Sequence, residues 1–194
     1  MPHHHKQQPT LQTFTELSNI MLPDNELWQV ELSSPAVSVM TDFSVRAVFK
    51  VSPEDTIDEA LQKMKVAGLR IAFVVEDHSE KILGMITSYD IMGEKPMRYL
   101  QSVGFADRGV THKDIKVKDI MVKVEDWVSV EMKNVEQVNV QALLEVFQRT
   151  GLTHLAVIDN HEGKEHHLRG LFSSAKVLRL TDIARRRTAE HGKA

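Results

Sequence analysis

Two short segments of the sequence end in turns that could bind an anion or a ribose. They read GMITSYD at residues 84–90 and GLFSSAK at residues 170–176. In each, an apolar run stops at a hydroxyl residue, Thr87 or Ser173, where a helix can begin. Hydroxyls and free backbone N–H groups at a helix start bind anions, and a carboxylate can accept hydrogen bonds from vicinal ribose hydroxyls. Asp90 supplies that carboxylate in the first turn, but Lys176 takes its position in the second, so the sequence predicts two chemically unequal sites.

The same order of predicted elements leads to both turns. Apolar residues recur at helical spacing within residues 57–67 and 140–147, and the glycines that follow, Gly68 and Gly151, are typical helix stops. Two short apolar runs rich in β-branched residues follow each helix, at residues 71–75 and 82–86 and again at residues 155–158 and 168–172. The chain therefore contains one helix–strand–strand–helix unit twice.

Composition limits the classes of function. The 194 residues are 42% hydrophobic, which is enough for one compact domain of two subdomains. No apolar run approaches the roughly 18 residues of a membrane helix, and the polar start lacks a secretory pattern, so we expect a cytoplasmic protein that does not enter a membrane. The absence of cysteine excludes disulfides, thiol catalysis and thiolate-bound metal. A net charge of −3 does not favour nucleic acid, although Arg185–Arg187 forms a local basic tail.

Catalytic motifs are missing from the sequence. It contains no Gly-x-Ser-x-Gly turn and no Gly-x-x-x-x-Gly-Lys phosphate loop. Adjacent acids such as Glu54-Asp55 are ordinary surface charges at caps and loop ends. A histidine cluster around the second hairpin, at His161, His166 and His167, lacks the fixed geometry that a metal site needs, so we predict no metal site. The pattern favours a binding module that is not an enzyme.

From about Ser38 to Thr181 the chain resembles a tandem pair of cystathionine-β-synthase (CBS) domains, the Bateman module. The resemblance lies in the lead-ins at residues 39–41 and 117–121, the Val-Val-Glu and Val-Ile-Asp strand ends, and the glycine, hydroxyl and acid of residues 84–90. It implies an α/β (α+β) fold with two pseudo-symmetric β-α-β-β-α motifs packed through their sheets. The predicted divisions are an N-terminal segment (1–35), motif 1 (36–95), a connecting helix or linker (96–116), motif 2 (117–182) and a basic C-terminal tail (183–194).

The resemblance also implies two clefts between the motifs, each able to hold AMP, ADP, ATP or another adenosyl ligand, with no cofactor required. In the first cleft Thr87 would face a phosphate and Asp90 the ribose. The other predicted nucleotide-binding residues there are Ser88, Phe73, Thr41 and Ile71. A second site would use Ser173, Lys176 and His154. The family often places a basic residue between the hydroxyl and the acid, and Ser88-Tyr89 replaces it here, which weakens the case for a triphosphate.

Each of these residues also has a purely structural interpretation. Thr87 and Asp90 match a capping box, which satisfies backbone N–H groups without a ligand. Phe73 could stack on a base or fill the core, Lys176 could be solvated, and His154 could be a half-buried histidine. A ligand-free dimerisation or protein-interaction domain is therefore the alternative to a nucleotide sensor. A nucleic-acid binder that uses Arg185–Arg187 is a weaker third hypothesis.

Partner contacts are predicted from apolar residues outside these turns. The helices after the turns carry Ile91, Met92, Val177, Leu178 and Leu180. We expect these residues to be exposed in a single chain and to be covered in a homodimer. Residues 96–108 should form a short helix that either packs within the chain or contacts another protein. An N-terminal stripe from Phe14 to Leu22 has helical spacing and is typical of a core or dimer contact.

Overall fold

The fold consists of two four-stranded sheets, each covered by helices. The computed structural model describes residues 30–104, 109–160 and 166–191, without the side chains of residues 183–191. The strands are β1 Thr41–Asp42, β2 Lys50–Val51, β3 Ile71–Val75, β4 Ile82–Thr87, β5 Val122–Lys123, β6 Ser129–Glu131, β7 His154–Asn160 and β8 His166–Ser173. The N-terminal stripe, His161 and the side chains of Arg185–Arg187 lie outside the described residues.

The helices alternate with these strands. They are α1 Ile57–Ala67, α2 Ser88–Met92, α3 Lys95–Val103, α4 Val117–Ile120, α5 Met132–Val135, α6 Val140–Thr150 and α7 Ser174–His191. Short 3-10 helices occupy Ala36–Val39, His112–Asp114 and Val124–Asp126. Within the described ranges, no helix combines the length and the apolar character that are needed to cross a membrane.

The internal repeat predicted from the sequence is confirmed. Helices α1 and α6 each have 11 residues, and both end at a glycine in the left-handed region, Gly68 at φ 66° and Gly151 at φ 69°. Each is followed by an antiparallel hairpin, β3–β4 or β7–β8, and each hairpin is joined by a short parallel strand, β2 or β6. We call residues 50–92 with β5 the first unit, and residues 129–182 with β1 the second unit.

The two sequence motifs exchange their lead-in strands. Strand β1 pairs with β8, so one sheet has the order β1-β8-β7-β6, and strand β5 pairs with β4, so the other has the order β2-β3-β4-β5. The sheets therefore do not follow the sequence divisions 36–95 and 117–182, because each lead-in belongs to the sheet of the opposite motif. Thr41 lies opposite Leu171, and Met85 lies opposite Val122.

An ion pair joins the exchanged strand β1 to its new sheet. Asp42 accepts two hydrogen bonds from the guanidinium of Arg169, from Nε and Nη2, both at 2.9 Å. These bonds, aided by bonds from Ser44, hold the pKa of Asp42 well below its ordinary value. Because Asp42 and Arg169 lie 127 positions apart, the pair connects distant parts of the chain.

Three apolar clusters hold this arrangement together. One cluster lies under each sheet and includes the lead-in of the other motif: Val39 and Met40 pack with Phe147 and Val177, while Ile120 packs in the cluster of the first unit. The third lies between the sheets and contains Phe73, Val75, Met85 and Leu171. The motifs are thus packed through their sheets, as the resemblance implied.

The helices after the two turns differ from the expectation of a wholly exposed apolar face. Ile91 is 3% exposed, Val177 is fully buried and Leu180 is 7% exposed, because these residues face the cores under their own sheets. Met92 and Leu178 do point outward. In the connecting helix α3, Tyr99 and Leu100 pack against the core of the first unit, so this segment packs within the chain.

Candidate functional site

Both predicted turns line a single cavity of about 800 Å³ between the two units. The resemblance implied two clefts between the motifs, and the residues predicted for both of them line this same cavity. Seven of the nine predicted site residues line it: Thr41, Ile71, Thr87, Asp90, His154, Ser173 and Lys176. Its volume lies within the roughly 300–1,000 Å³ that small-molecule sites occupy.

The first turn forms the capping box that its sequence predicted. Thr87 precedes α2, and its hydroxyl accepts a hydrogen bond from the Asp90 backbone N–H at 3.1 Å. Asp90 Oδ2 accepts from the Thr87 backbone N–H at 2.8 Å and from the Thr87 hydroxyl at 2.7 Å. These bonds hold the carboxylate at the cavity wall in one orientation.

A lysine holds the other oxygen of the same carboxylate. Lys95 Nζ lies 2.9 Å from Asp90 Oδ1 and donates a second bond, of 3.3 Å, to the backbone carbonyl of Ile120. The Asp90 side chain is only 17% exposed, so the pair is partly shielded from water. Lys95 therefore balances the charge of the Asp90 carboxylate, and Asp90, which lines the cavity, can still accept hydrogen bonds there.

Two predicted site residues do not line the cavity. Ser88 is 7% exposed, and its backbone N–H donates to the carbonyl of Arg70 at 2.9 Å. Phe73 is 2% exposed and fills the core between the sheets, with its ring edge-on to Phe43 at 5.2 Å and to Trp127 at 5.9 Å. Of the two interpretations of Phe73, the structure shows the core residue.

The aromatic rings that do reach the cavity are those beside Phe73. Phe43 and Trp127 both line it, and Trp127 is fixed by a hydrogen bond from its indole N–H to the carbonyl of Val122 at 3.1 Å. Each ring follows an exchanged strand, and sequence reasoning missed both. No periodic sequence pattern predicts the positions of these two rings, because strands of two residues are too short to show such a pattern.

In the second turn, Ser173 ends β8 and Lys176 lies in the first turn of α7. Lys176 Nζ donates to the carbonyl of Met40 at 3.4 Å and to the hydroxyl of Thr41 at 3.3 Å. It is half-buried and contacts the exchanged strand, so it is not simply a solvated lysine. This contact places its ammonium group at the cavity wall.

His154 links the two turns electrostatically. It begins β7 opposite Ser173, is half-buried, and its Nδ1 lies 3.1 Å from the hydroxyl of Thr153. Burial lowers the pKa of His154, while the nearby Asp90 carboxylate opposes that shift. The imidazole of the second unit therefore lies within electrostatic reach of the acid of the first.

Sequence reasoning also missed two arginines and a tyrosine at the cavity, Arg70, Arg179 and Tyr89. Arg70 Nη1 donates to the Tyr89 hydroxyl at 3.0 Å. Tyr89 stands in the position where the family often has a basic residue, and it carries Arg70 beside it. A cation is thus present beside Tyr89, although it comes from the residue before β3 and not from the turn.

The arrangement of the described histidine and acidic side chains does not support a metal site. Across residues 30–104, 109–160 and 166–191, no group of three or more histidine and acidic side chains is placed to hold a metal ion. Of the histidines in the second hairpin, His166 contacts the side-chain carbonyl of Asn160 through Nδ1, at 2.6 Å.

Comparison with known proteins finds a family model that matches part of the chain. Residues 37–96 match the family model of the CBS domain. An inosine-5'-monophosphate dehydrogenase from Methanocaldococcus jannaschii is 27% identical over 152 residues, which are 78% of this chain and 24% of that protein. The chain therefore spans about a quarter of the length of this curated relative.

Several solved structures are similar to this chain at low sequence identity. Protein MJ1225 from Methanocaldococcus jannaschii has a TM-score of 0.50 and 19% identity, over 74% of this chain and 48% of that one. The CBS-pair protein CBSX2 from Arabidopsis thaliana has a TM-score of 0.47 and 18% identity, over 79% of this chain and 98% of that one. CBSX2 in complex with AMP has a TM-score of 0.47 and 17% identity, over 83% and 99%.

Residues 37–96 are a CBS domain, and the second unit repeats the same fold around the same pair of turns. The resemblance to a tandem CBS pair seen in the sequence is therefore confirmed, and the family match itself rests on residues 37–96.

Proposed function

We propose that the chain is a regulatory module that binds an adenosyl ligand in the cavity between its two units and catalyses no reaction itself. The observation that carries this proposal is the position of Thr87 and Asp90, which line one cavity together with the aromatic rings of Phe43 and Trp127. A carboxylate that could accept hydrogen bonds from ribose hydroxyls and aromatic rings that could stack on a base therefore line the same cavity. Binding would favour one arrangement of the two units, which is how such a module could act on another chain.

The capping geometry leaves room for ribose recognition. A carboxylate has about four lone-pair sites, and Asp90 uses three of them, two for Thr87 and one for Lys95. One ribose hydroxyl could therefore donate to Oδ1 without any rearrangement. A second could donate to Oδ2 if the Thr87 hydroxyl rotates and donates elsewhere, for example to a phosphate oxygen. The cap and the ligand contact are compatible.

A thermal-shift screen separates this proposal from a ligand-free interaction domain. It would compare AMP, ADP, ATP, S-adenosylmethionine, NAD and cyclic dinucleotides. Because a ligand that binds only the folded state raises its stability by mass action, at least one compound should raise the melting temperature. If none does at millimolar concentration, the turn only caps α2, and the interaction-domain alternative replaces the sensor.

Calorimetry on Asp90→Ala tests the assigned contact. Loss of a charged acceptor should weaken the adenosyl ligand found in the screen by about tenfold to a hundredfold, which corresponds to roughly 1.5–3 kcal/mol. A ligand with 2'-deoxyribose should lose less, because it has one hydroxyl fewer to donate.

Asp114→Ala is the matched control for this variant. Asp114 closes the same capping box with Thr111, accepting from its N–H at 2.8 Å and its hydroxyl at 2.6 Å, and it does not line the cavity. It should cost helix-start stability and leave ligand affinity unchanged. If wild type and Asp90→Ala bind the adenosyl ligand with equal affinity, Asp90 only caps α2 and does not contact the ligand.

We further propose that the chain acts as a cytoplasmic homodimer and that its regulated partner, if there is one, is another protein. Nucleic acid is not part of this proposal, because the net charge is −3, and a membrane is not part of it either. An adenosyl ligand would be a regulatory signal and not a required cofactor.

A further inference from the structure

We infer that Lys95 is a positioning residue for ribose recognition, which holds the Asp90 carboxylate in the orientation in which ribose hydroxyls can donate to it. This inference rests on the proposed function and adds a specificity-determining residue that does not itself line the cavity. Lys95 acts through Asp90 and does not touch the ligand. Because Lys95 belongs to the connecting helix α3, the segment between the two motifs contributes to the site.

The two oxygens of the Asp90 carboxylate are held by different groups. Thr87 donates to Oδ2 from its backbone N–H and from its hydroxyl, at 2.8 and 2.7 Å. Lys95 Nζ lies 2.9 Å from Oδ1, at a distance typical of a charge-assisted hydrogen bond. A carboxylate that is held at Oδ2 alone can swing about that oxygen, so Lys95 fixes the position of Oδ1. Oδ1 is the oxygen that still has a lone pair for a ribose hydroxyl.

Lys95 is itself anchored, as a positioning residue must be. Its Nζ donates to the backbone carbonyl of Ile120 at 3.3 Å, and Ile120, which is 5% exposed, packs in the core of the first unit. Ile120 ends α4, two residues before Val122. Val122 lines the cavity, and its carbonyl accepts the indole N–H of Trp127. Lys95 therefore joins the carboxylate to the segment that also holds an aromatic ring at the cavity.

A break between two helices brings Lys95 back to Asp90. The two residues are five positions apart, so on one continuous α-helix they would lie on different faces. Helix α2 ends at Met92, α3 begins at Lys95, and Gly93 lies between them with an extended backbone. A Cβ at Gly93 would lie 2.6 Å from the carbonyl oxygen of Tyr89, so a side chain would clash in this turn. The glycine thus permits the contact between the lysine and the carboxylate.

The position of Lys95 does not suit α3 itself. Lys95 is the first residue of that helix, where the positive end of the helix dipole disfavours a cation. The first turn of α3 contains no acid that could offset this effect. Stabilisation of α3 therefore does not explain a lysine at this position, whereas the pairing with Asp90 does.

The second unit has neither residue at the equivalent positions. Lys176 stands in place of Asp90, and α7 continues through the region where α2 breaks. Thr181 stands in place of Lys95, and its hydroxyl donates to the carbonyl of Val177 within the same helix. In this repeat the lysine accompanies the carboxylate, as expected of a residue that serves that carboxylate.

Calorimetry with AMP and 2'-deoxy-AMP tests the inference. Lys95→Met should weaken AMP binding by about threefold to tenfold, the effect of one hydrogen bond, and should weaken 2'-deoxy-AMP binding less. A role in stability alone would weaken both compounds equally. Lys95→Arg keeps the charge and the donors, so it should retain most of the wild-type affinity for AMP.

A double-mutant cycle shows whether Lys95 acts through Asp90. In the Asp90→Ala background, Lys95→Met should change AMP affinity by less than about twofold, because no carboxylate is left to position. Two independent losses that multiply would overturn the inference while the adenosyl-ligand proposal stands. The same holds if Lys95→Met alone binds AMP as tightly as wild type, or more tightly.

Arg98→Met is the matched control, because Arg98 is a cation on the same helix, pairs with Glu94 on the surface and does not line the cavity. It should leave both AMP affinity and the preference over 2'-deoxy-AMP unchanged. If wild type does not bind AMP, there is no ribose contact for Lys95 to position, and the inference fails. The proposed function fails as well if no other compound of the thermal-shift screen binds.

Discussion

Asp90 shows how one carboxylate can serve both the fold and a ligand. Its sequence context, a hydroxyl three residues before an acid, predicts a capping box and a ribose acceptor equally well. The structure shows the capping box, and it also shows that Asp90 pairs with Lys95. This pairing could not be predicted from sequence, because the position of Lys95 depends on the direction in which α3 runs. What decides between a cap alone and a cap with a ligand is the cavity, and the cavity depends on both units.

His154 should make stability depend on pH near neutrality. Burial lowers its pKa in the folded state below the ordinary 6.5, so the unfolded chain binds the proton more readily. Stability should therefore be complete above about pH 6.5 and should decrease as pH falls through that value. Urea denaturation between pH 8 and pH 5 measures this decrease. His154→Gln should reduce the slope over this range, and an unchanged slope would show that other groups cause it.

Asp42 acts in a lower pH range. Its pKa is lowered by Arg169, so the pair contributes stability above the unfolded value of 3.8, and this contribution is lost as pH falls below that value. Asp42→Asn should cost about 1–2 kcal/mol at pH 7, because the two side chains are only 24% and 31% exposed and share two bonds. The difference between wild type and variant should shrink in acid.

Glu94→Gln provides the comparison for Asp42→Asn in the same denaturation experiment. Glu94 pairs with Arg98 on the surface, where the side chains are 80% and 75% exposed. Its loss should cost at most about 0.5 kcal/mol. Equal effects of the two substitutions would show that the Asp42–Arg169 pair does not hold β1 in its sheet.

At the scale of elements, the exchanged strands depend on two equivalent glycines. A Cβ at Gly84 would lie 2.5 Å from the carbonyl oxygen of Val122 in β5, and one at Gly170 would lie 2.8 Å from that of Thr41 in β1. Both contacts are with backbone, which cannot move without breaking the strand pairing. The glycine at the start of each turn motif is therefore explained by strand exchange, whether or not a ligand binds.

Gly84→Ala and Gly170→Ala should each destabilise the fold by about 1–3 kcal/mol, as overpacking usually does. Gly109→Ala is the control, because a Cβ there meets no atom within 4 Å and its φ is not in the left-handed region. It should be neutral or slightly stabilising. Urea midpoints of the three variants give the comparison, and midpoints for Gly84→Ala and Gly170→Ala equal to that of Gly109→Ala would contradict the close approach.

The helices and long strands could be predicted because each carries a repeating pattern. α1 and α6 have apolar residues at helical spacing and a glycine stop, and β3, β4, β7 and β8 are apolar runs. Strands β1 and β5 have two residues each, which is too short for any period, so their exchange was not predicted. The prediction that the apolar residues after the turns are exposed was wrong for Ile91, Val177 and Leu180, because sequence spacing does not show which face a helix buries.

At the scale of the whole molecule, the site is a consequence of how the sheets meet. The sequence identified seven residues that line the cavity, since each belongs to a repeated turn or strand end. It did not identify Phe43, Trp127 or Arg179, whose positions depend on packing between the units. The sequence predicted that the two turns are chemically unequal, but it could not show that both line the same cavity, because that depends on how the sheets pack against each other.

The assembly prediction belongs to this scale. Met92 on α2 is 63% exposed and Leu178 on α7 is 47% exposed, which leaves apolar surface on the helices that follow both turns. We expect a second copy of the chain to cover these residues, because burial of apolar side chains is the main driving force of association. Light scattering at micromolar concentration should give twice the chain mass of 22.0 kDa.

A charge placed on that surface should separate the copies. Met92→Glu with Leu178→Glu should give the mass of one 22.0 kDa chain, since two charges per copy would have to be buried. Val45→Glu is the control, because Val45 is 79% exposed and lies in the loop after β1, not on either helix. It should remain dimeric. If wild type itself has the mass of one chain at every concentration, the dimer is wrong, and the exposed methionine and leucine need another explanation.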